Sequence, residues 1–245
     1  MGTLVLDIET AIPFEEPPEQ SNDTSYFEWV AVGLAYADDL TDTPESDVLF
    51  RNGGWDDAHT IELFKRLFDW CDRRQIDRVL TYNGAWFDGR HLLNWARELD
   101  GDADGELRRR VEDLFENHVD VALAAADKYA DELRDNQPIL PDWKAYDIAG
   151  IDNDSVWYDD YTFPENYLAG IDGPAVQGKH IGQVLGEKYV DNVEAGIEAT
   201  TVHRELTRLL ENYCTSDVAD LIELYATLGG ASLDDEYRRA AAEIV

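Results

Sequence analysis

The chain has 245 residues, of which 44% are hydrophobic and 11% aromatic, so it is long enough for a large domain with a sizeable core. Its 53 acidic and 20 basic residues give a formal net charge of −33, spread along the whole length, which excludes a detachable acidic tail. Two cysteines exclude a disulfide framework, and no apolar run approaches the ~18 residues of a membrane span. The N-terminus lacks the features of a signal peptide, so we expect a cytoplasmic protein without a membrane partner.

The excess of acidic residues also predicts an environment. Self-repulsion on this scale destabilises a compact state at low ionic strength. At about 1 M salt the Debye length is only ~3 Å, and the repulsion is largely screened. The surface is therefore typical of a salt-adapted cytosolic protein from a halophile. An acidic protein that binds a basic partner is the alternative.

The first predicted strand, residues 3–8, is apolar and leads into Asp7 and Glu9. Residues two apart in a strand share a face, so both carboxylates point the same way. They repel each other unless a cation lies between them, and this predicts a cation site. An Asp-x-Glu pair that simply faces water at the strand end is the alternative.

Strands and helices alternate in the rest of the N-terminal half. We predict strands over 27–37 and 47–50, a helix over 58–74, a strand over 78–82, helices over 88–99 and 106–116, and a short strand over 118–120. This order resembles that of the ribonuclease H-like fold, an α/β fold with a central mixed sheet flanked by helices. In that fold the carboxylates would meet over the middle of the sheet.

A second polar segment follows the strand over 78–82. Asn83 and Gly84 turn the chain, and Phe87 and Asp88 open the next helix. Taken alone, Asp88 is explained as a helix N-cap or first-turn acid, and Asn83 as a turn residue. Asp120, at the end of the last short strand, is interpreted as a helix cap rather than a supporting carboxylate.

Residues 134–178 show no regular pattern and carry many aromatic residues among Asp, Pro and Gly. Such an excursion can stack on unpaired bases, at ~1–3 kcal/mol per base. We expect most of these aromatics to be buried on the domain's own core, with a minority facing the site.

The last long helical pattern, residues 201–228, places Tyr213 and Asp217 one turn apart on one face. An Asp on the buried side of a helix is costly unless something pairs with it. The alternative is a core Tyr213 with Asp217 at the edge of the apolar stripe. We expect one domain over 1–229 and a C-terminal helical tail over 230–245.

Three patterns, Asp-x-Glu, Asn-x-x-x-Phe-Asp and Tyr-x-x-x-Asp, occur in this order. Together they resemble the exonuclease motifs of the DEDD (DnaQ-like) family in its tyrosine subclass, and are similar to those of the proofreading exonuclease domain of family B DNA polymerases. The histidine subclass would carry His where this chain has Asn212. Relatives often have His where this chain has Tyr82. The resemblance covers residues 2–229, but only the motifs are specific.

The resemblance implies a metal-dependent 3′→5′ exonuclease that releases nucleoside monophosphates from DNA or RNA. Asp7, Glu9, Asp88 and Asp217 would hold two divalent ions, Mg²⁺ or Mn²⁺, roughly 3.5–4 Å apart. Tyr213 would orient the attacking water, since a free Tyr has a pKa near ~10.

The implied partner is a nucleic acid with a free 3′ end, expected to be single-stranded, and Asn83 and Phe87 would shape the pocket around its terminal nucleotide. No basic run is present, although phosphate contacts dominate affinity in most nucleic-acid enzymes. The sequence identifies no polymerase or repair partner. Two alternatives stay open: a catalytically silent acidic interaction module with the exonuclease fold, or a phosphodiesterase acting on short oligonucleotides.

Overall fold

The computed structural model describes residues 1–19, 21–101, 105–134 and 137–244. Its strands are β1 (Thr3–Ala11), β2 (Glu28–Ala37), β3 (Glu45–Phe50), β4 (Arg78–Thr81) and β5 (His118–Asp120). They form one mixed five-stranded sheet in the order β3-β2-β1-β4-β5. The central strand β1 is antiparallel to β2 and parallel to β4, while β5 continues the parallel side.

Helices cover both faces of this sheet. They are α1 (Asp57–Cys71), α2 (Asp88–Asp100), α3 (Glu106–Leu114), α4 (Val121–Lys128), α5 (Asp142–Ala149), α6 (Gly178–His180), α7 (Gly186–Glu194), α8 (Thr201–Ala219), α9 (Leu221–Leu228), α10 (Asp234–Tyr237) and α11 (Ala241–Ile244). A π-helical turn, Ile181–Leu185, joins α6 to α7. Among the described residues, no helix is both long and apolar enough to cross a membrane.

The predicted fold class, α/β with a mixed sheet between helices in the ribonuclease H-like order, is confirmed. The predicted bounds shift by a few residues at several ends. The helical pattern over 201–228 divides at Asp220, whose φ of −103° and ψ of 0° interrupt the helix between α8 and α9.

Alternation along β1 determines which side of the sheet carries the polar residues. Leu4, Leu6 and Ile8 lie in the core cluster under α1 and α2, whereas Val5 lies in the cluster on the opposite face. Because side chains alternate in a strand, Asp7 and Glu9 share the face of Val5. That face is the one covered by α8 and α9.

Helix α8 approaches the sheet closely at a glycine of β2. Gly33 pairs with Asp7 across the antiparallel β1–β2 ladder. A Cβ atom built at Gly33 would lie 2.6 Å from the backbone oxygen of Cys214, in the middle of α8. Only a residue without a side chain lets the helix backbone lie this near the strand.

The segment 134–178, expected to be irregular, contains one short helix, α5, and a 3₁₀ turn at Tyr158–Asp160. Helix α5 was not predicted because only Ala145 and Tyr146 are buried, which gives no apolar stripe of helical period. Trp143 stays 63% exposed. Residues 135–136 lie outside the described residues.

The C-terminal residues pack against the same body. Ala241 and Ile244 belong to the core cluster beneath α1 and α2, and the N–H of Arg239 donates to the His118 carbonyl at 3.0 Å. Residue 245 of the predicted tail is outside the described residues. The division into a domain over 1–229 and a tail over 230–245 stays a prediction.

Candidate metal centre

Three of the predicted site carboxylates converge on one point. One carboxylate oxygen from each of Asp7, Glu9 and Asp217 lies within 4.8 Å of the other two. The first two come from β1, and a register shift in the β1–β2 ladder follows directly after Glu9. Such irregularities often accompany functional residues, because they re-aim side chains at the end of a strand. This spacing suits a cation held by carboxylate oxygens.

Asp88, the fourth predicted carboxylate, lies behind this group. It is 2% exposed and is the first residue of α2. Its Oδ1 accepts the backbone N–H of Ile8 at 2.9 Å, between the two acidic residues of β1. Its charge raises the pKa of both Asp7 and Glu9. The structure therefore brings all four carboxylates together, three around one point and Asp88 beside them.

The carboxylates have strongly perturbed acidities. Burial raises the pKa of Asp7 and of Glu9 well above the ordinary range, and neighbouring carboxylates add to the rise. Burial also raises the pKa of Asp88 to about 7 and that of Asp217 to about 8. Since buried like charges repel, a bound cation would favour the fully ionised form of this group. Groups of this kind are typical of functional sites.

Tyr213 lies one turn before Asp217 on α8, and its hydroxyl opposes the rise in the pKa of that carboxylate. Burial and then the charges of Asp217 and Glu9 raise the pKa of Tyr213 well above 10. A Cβ atom built at Gly178 would lie 3.6 Å from the Tyr213 hydroxyl oxygen, so the glycine leaves space beside it. The hydroxyl stays protonated and can donate a hydrogen bond into the cavity.

Asp7, Glu9 and Asp217 line an open cavity of about 230 Å³, whereas Asp88 does not. Its remaining walls are largely aromatic, from Tyr82, Phe87, Tyr146 and Tyr213. No Lys, Arg, His or Cys lines it among the described residues. An all-oxygen donor set of this kind suits the hard cations Mg²⁺ and Mn²⁺.

The turn before α2 is held by Asp120. Its carboxylate accepts the N–H groups of Asn83 at 2.8 Å and of Ala85 at 3.1 Å, and also that of Ala122 at the start of α4. It thus caps α4, as predicted, and fixes the turn as well. Asn83 has a φ of 66°, the left-handed conformation that Asn tolerates. Asn83 does not line the cavity, whereas Phe87 does.

Sequence reasoning did not place Tyr82 or Asp142 at the cavity. Tyr82 forms part of the wall, and its hydroxyl donates to the Leu140 carbonyl at 2.7 Å. Asp142, on α5, is a fourth carboxylate that lines the cavity, beside Asp7, Glu9 and Asp217. Nothing in the sequence distinguishes it, because it is one of 53 acidic residues.

Comparisons with known proteins support the fold. No protein-family model matches the chain, and no curated protein matches it. A solved structure of similar fold is the family B DNA polymerase from the hyperthermophilic archaeon Pyrobaculum calidifontis, with 14% identity and a TM-score of 0.53. The match covers 99% of this chain and 28% of the polymerase chain. At this identity the likeness shows that the two share a fold.

Proposed function

We propose that this protein is a metal-dependent 3′→5′ exonuclease that releases nucleoside monophosphates from DNA or RNA. The observation that carries this proposal is the convergence of Asp7, Glu9 and Asp217 within 4.8 Å, with Asp88 buried beside them. These residues come from three segments far apart in the sequence. The fold shared with a family B DNA polymerase is consistent with a nucleic-acid enzyme.

The four carboxylates would bind two divalent ions, Mg²⁺ or Mn²⁺. Bound ions would act as Lewis acids and lower the pKa of a coordinated water. Asp88 contributes from a fixed position, because the Ile8 N–H holds its Oδ1. Tyr213 keeps its proton, since burial and neighbouring carboxylates raise its pKa. It would therefore orient the attacking water as a hydrogen-bond donor rather than act as a base.

The cavity also constrains the substrate. At about 230 Å³ it is smaller than the roughly 300–1,000 Å³ of most small-molecule sites. It would admit the end of a single strand, and Phe87 and Tyr82 would offer rings beside the terminal base. Asn83 would act on the same nucleotide through the turn it forms. Without basic side chains in the described lining, the phosphate would depend on the bound cations.

The acidic surface supports a working environment of high salt in the cytoplasm. A formal charge of −33 repels a polyanion at low ionic strength and is screened at molar salt. Assays of this protein therefore belong in molar KCl.

The test is cleavage of end-labelled DNA and RNA strands in about 1 M KCl with Mg²⁺ or Mn²⁺, where the Debye length is ~3 Å. We expect shortening from the 3′ end, abolished by EDTA and by Asp7→Ala. Asp147→Ala is the matched control, because Asp147 is exposed and does not line the cavity. Full activity in a folded, pure Asp7→Ala preparation would contradict the two-metal proposal.

A phosphodiesterase acting on short oligonucleotides is a second candidate. It is favoured by one observation, the lack of Lys and Arg in the described cavity lining, because the phosphates of a long strand would find no basic partner there. Dinucleotides and trinucleotides in the same assay separate the two. Faster turnover of the dinucleotide than of a long strand would favour this candidate. No cleavage of any substrate would favour a silent interaction module.

A further inference from the structure

Asp142 adds a negative charge that the proposed metal chemistry does not use. It is the first residue of α5 and lines the same cavity as Asp7, Glu9 and Asp217. It is exposed, and it does not belong to the group of carboxylates within 4.8 Å. Asp142 therefore faces the site without being one of the three closely grouped carboxylates.

The position of Asp142 is fixed by contacts on both sides. Before it, the Leu140 carbonyl accepts a hydrogen bond from the Tyr82 hydroxyl at 2.7 Å. After it, Ala145 and Tyr146 anchor α5 in the core. The Asp142 Oδ1 accepts the N–H of Trp143 at 2.7 Å, which orients the carboxylate. The charge is thus held at the cavity by the fold rather than by a free loop.

Asp142 makes the cavity more negative than the four other carboxylates alone. Four ionised carboxylates balance two divalent ions, and Asp142 leaves one negative charge over. No basic side chain in the described lining offsets it. Glu9 provides a second, independent pointer to a cation. It is 6% exposed and lines the cavity, and its carboxylate has no hydrogen-bond donor among the described residues.

We propose that Asp142 is a positioning residue of the metal centre. Its carboxylate holds a hydrated divalent cation through water on the α5 side of the cavity. This inference rests on the proposed function for its setting. A contact through water follows from the exposure of Asp142 and its place outside the 4.8 Å group. Mg²⁺ usually keeps several of its waters in proteins, so a carboxylate at this distance can bind its hydration shell.

The test is Mn²⁺ binding, followed by the paramagnetic resonance signal of the free ion. Wild type, Asp142→Asn and Asp147→Asn are titrated in about 1 M KCl, where the ~3 Å Debye length removes general charge effects. Asp147 is the matched control, an exposed acid on the same helix that does not line the cavity. Asn keeps an acceptor for the Trp143 N–H. We expect Asp142→Asn to weaken Mn²⁺ binding roughly tenfold, as outer-shell changes do, and Asp147→Asn to bind like wild type.

Cleavage activity provides a second test of the same proposal. The Mg²⁺ concentration that gives half-maximal cleavage should rise by a similar factor in Asp142→Asn, and Asp142→Glu should recover most of the loss. Equal Mn²⁺ isotherms for wild type and Asp142→Asn would overturn the proposal, as would equal losses in both Asn variants. If wild type cleaves nothing, the proposed function fails, while the Mn²⁺ isotherms still decide the role of Asp142.

Discussion

Replacing Asp88 by Asn should stabilise the metal-free protein at pH 8 while it removes metal-dependent activity. Asp88 is 2% exposed, and its Oδ1 accepts the N–H of Ile8 at 2.9 Å. An Asn side chain keeps a carbonyl oxygen for that N–H. The variant loses the negative charge that repels the carboxylates of Asp7 and Glu9. Without metal, the variant therefore lacks an unfavourable buried charge.

The magnitude follows from the raised pKa. Burial is the main cause that raises the pKa of Asp88 from 3.8 to about 7. A rise of about three pH units corresponds to about 4 kcal/mol of unfolding free energy. A raised folded pKa means that this contribution is fully present below pH ~4 and is lost as the pH rises through ~7. Relaxation and the titration of neighbouring carboxylates reduce the figure, so we expect Asp88→Asn to gain about 2–4 kcal/mol at pH 8.

Urea unfolding in EDTA and about 1 M KCl, at pH 4, 6 and 8, measures this gain. The difference in unfolding free energy between Asp88→Asn and wild type should be absent near pH 4 and should grow as the pH rises. Added Mg²⁺ should stabilise wild type most at pH 8 and the variant little, because binding requires ionised carboxylates. Asp147→Asn controls for the loss of an exposed charge. A variant less stable than wild type at pH 8 in EDTA would refute the reasoning, as would an advantage equal at every pH.

Three further outcomes are expected. Tyr213→Phe should lower the cleavage rate about tenfold or more while Mn²⁺ affinity stays near wild type; a loss of metal as severe as in Asp217→Ala would show that the hydroxyl is misassigned. Thermal stability and cleavage should both rise with KCl from roughly 0.1 M to beyond 1 M, and a maximum of both at 0.1 M would contradict salt adaptation. Arg51 is fully buried and donates to Thr60 Oγ1 and to several carbonyl oxygens, including that of Gly54 at 2.7 Å. Arg51→Lys loses the planar guanidinium group that makes these bonds. It should lower the free energy of unfolding in urea by about 2–4 kcal/mol; a decrease below about 1 kcal/mol would show that these bonds add little.

Local patterns predicted the parts of the site that depend on short spacings. Asp7 and Glu9 share a face because strand side chains alternate, and Tyr213 and Asp217 share a face because they are one helical turn apart. Both relations are visible in the sequence. Their meeting depends on α8 crossing the sheet beside β1, a long-range contact that the residues alone do not encode and that only the resemblance implied.

The remaining features depend on tertiary contacts between segments. Asp88 turns toward the Ile8 N–H instead of lining the cavity, because its helix follows a turn held by Asp120. Asp142 reaches the cavity from a helix whose burial pattern has no apolar stripe. Tyr82 becomes a wall residue through its bond to Leu140. None of these contacts has a sequence period, so periodicity could not reveal them.

The glycine under α8 bears on the spacing of the site carboxylates. A Cβ atom at Gly33 would lie only 2.6 Å from the backbone oxygen of Cys214, and Gly33 pairs with Asp7. The gap between helix and strand therefore sets how far Asp217 stands from the β1 carboxylates. An added methyl group at Gly33 would push α8 away from the sheet and carry Asp217 away from Asp7 and Glu9, which now lie within 4.8 Å of it.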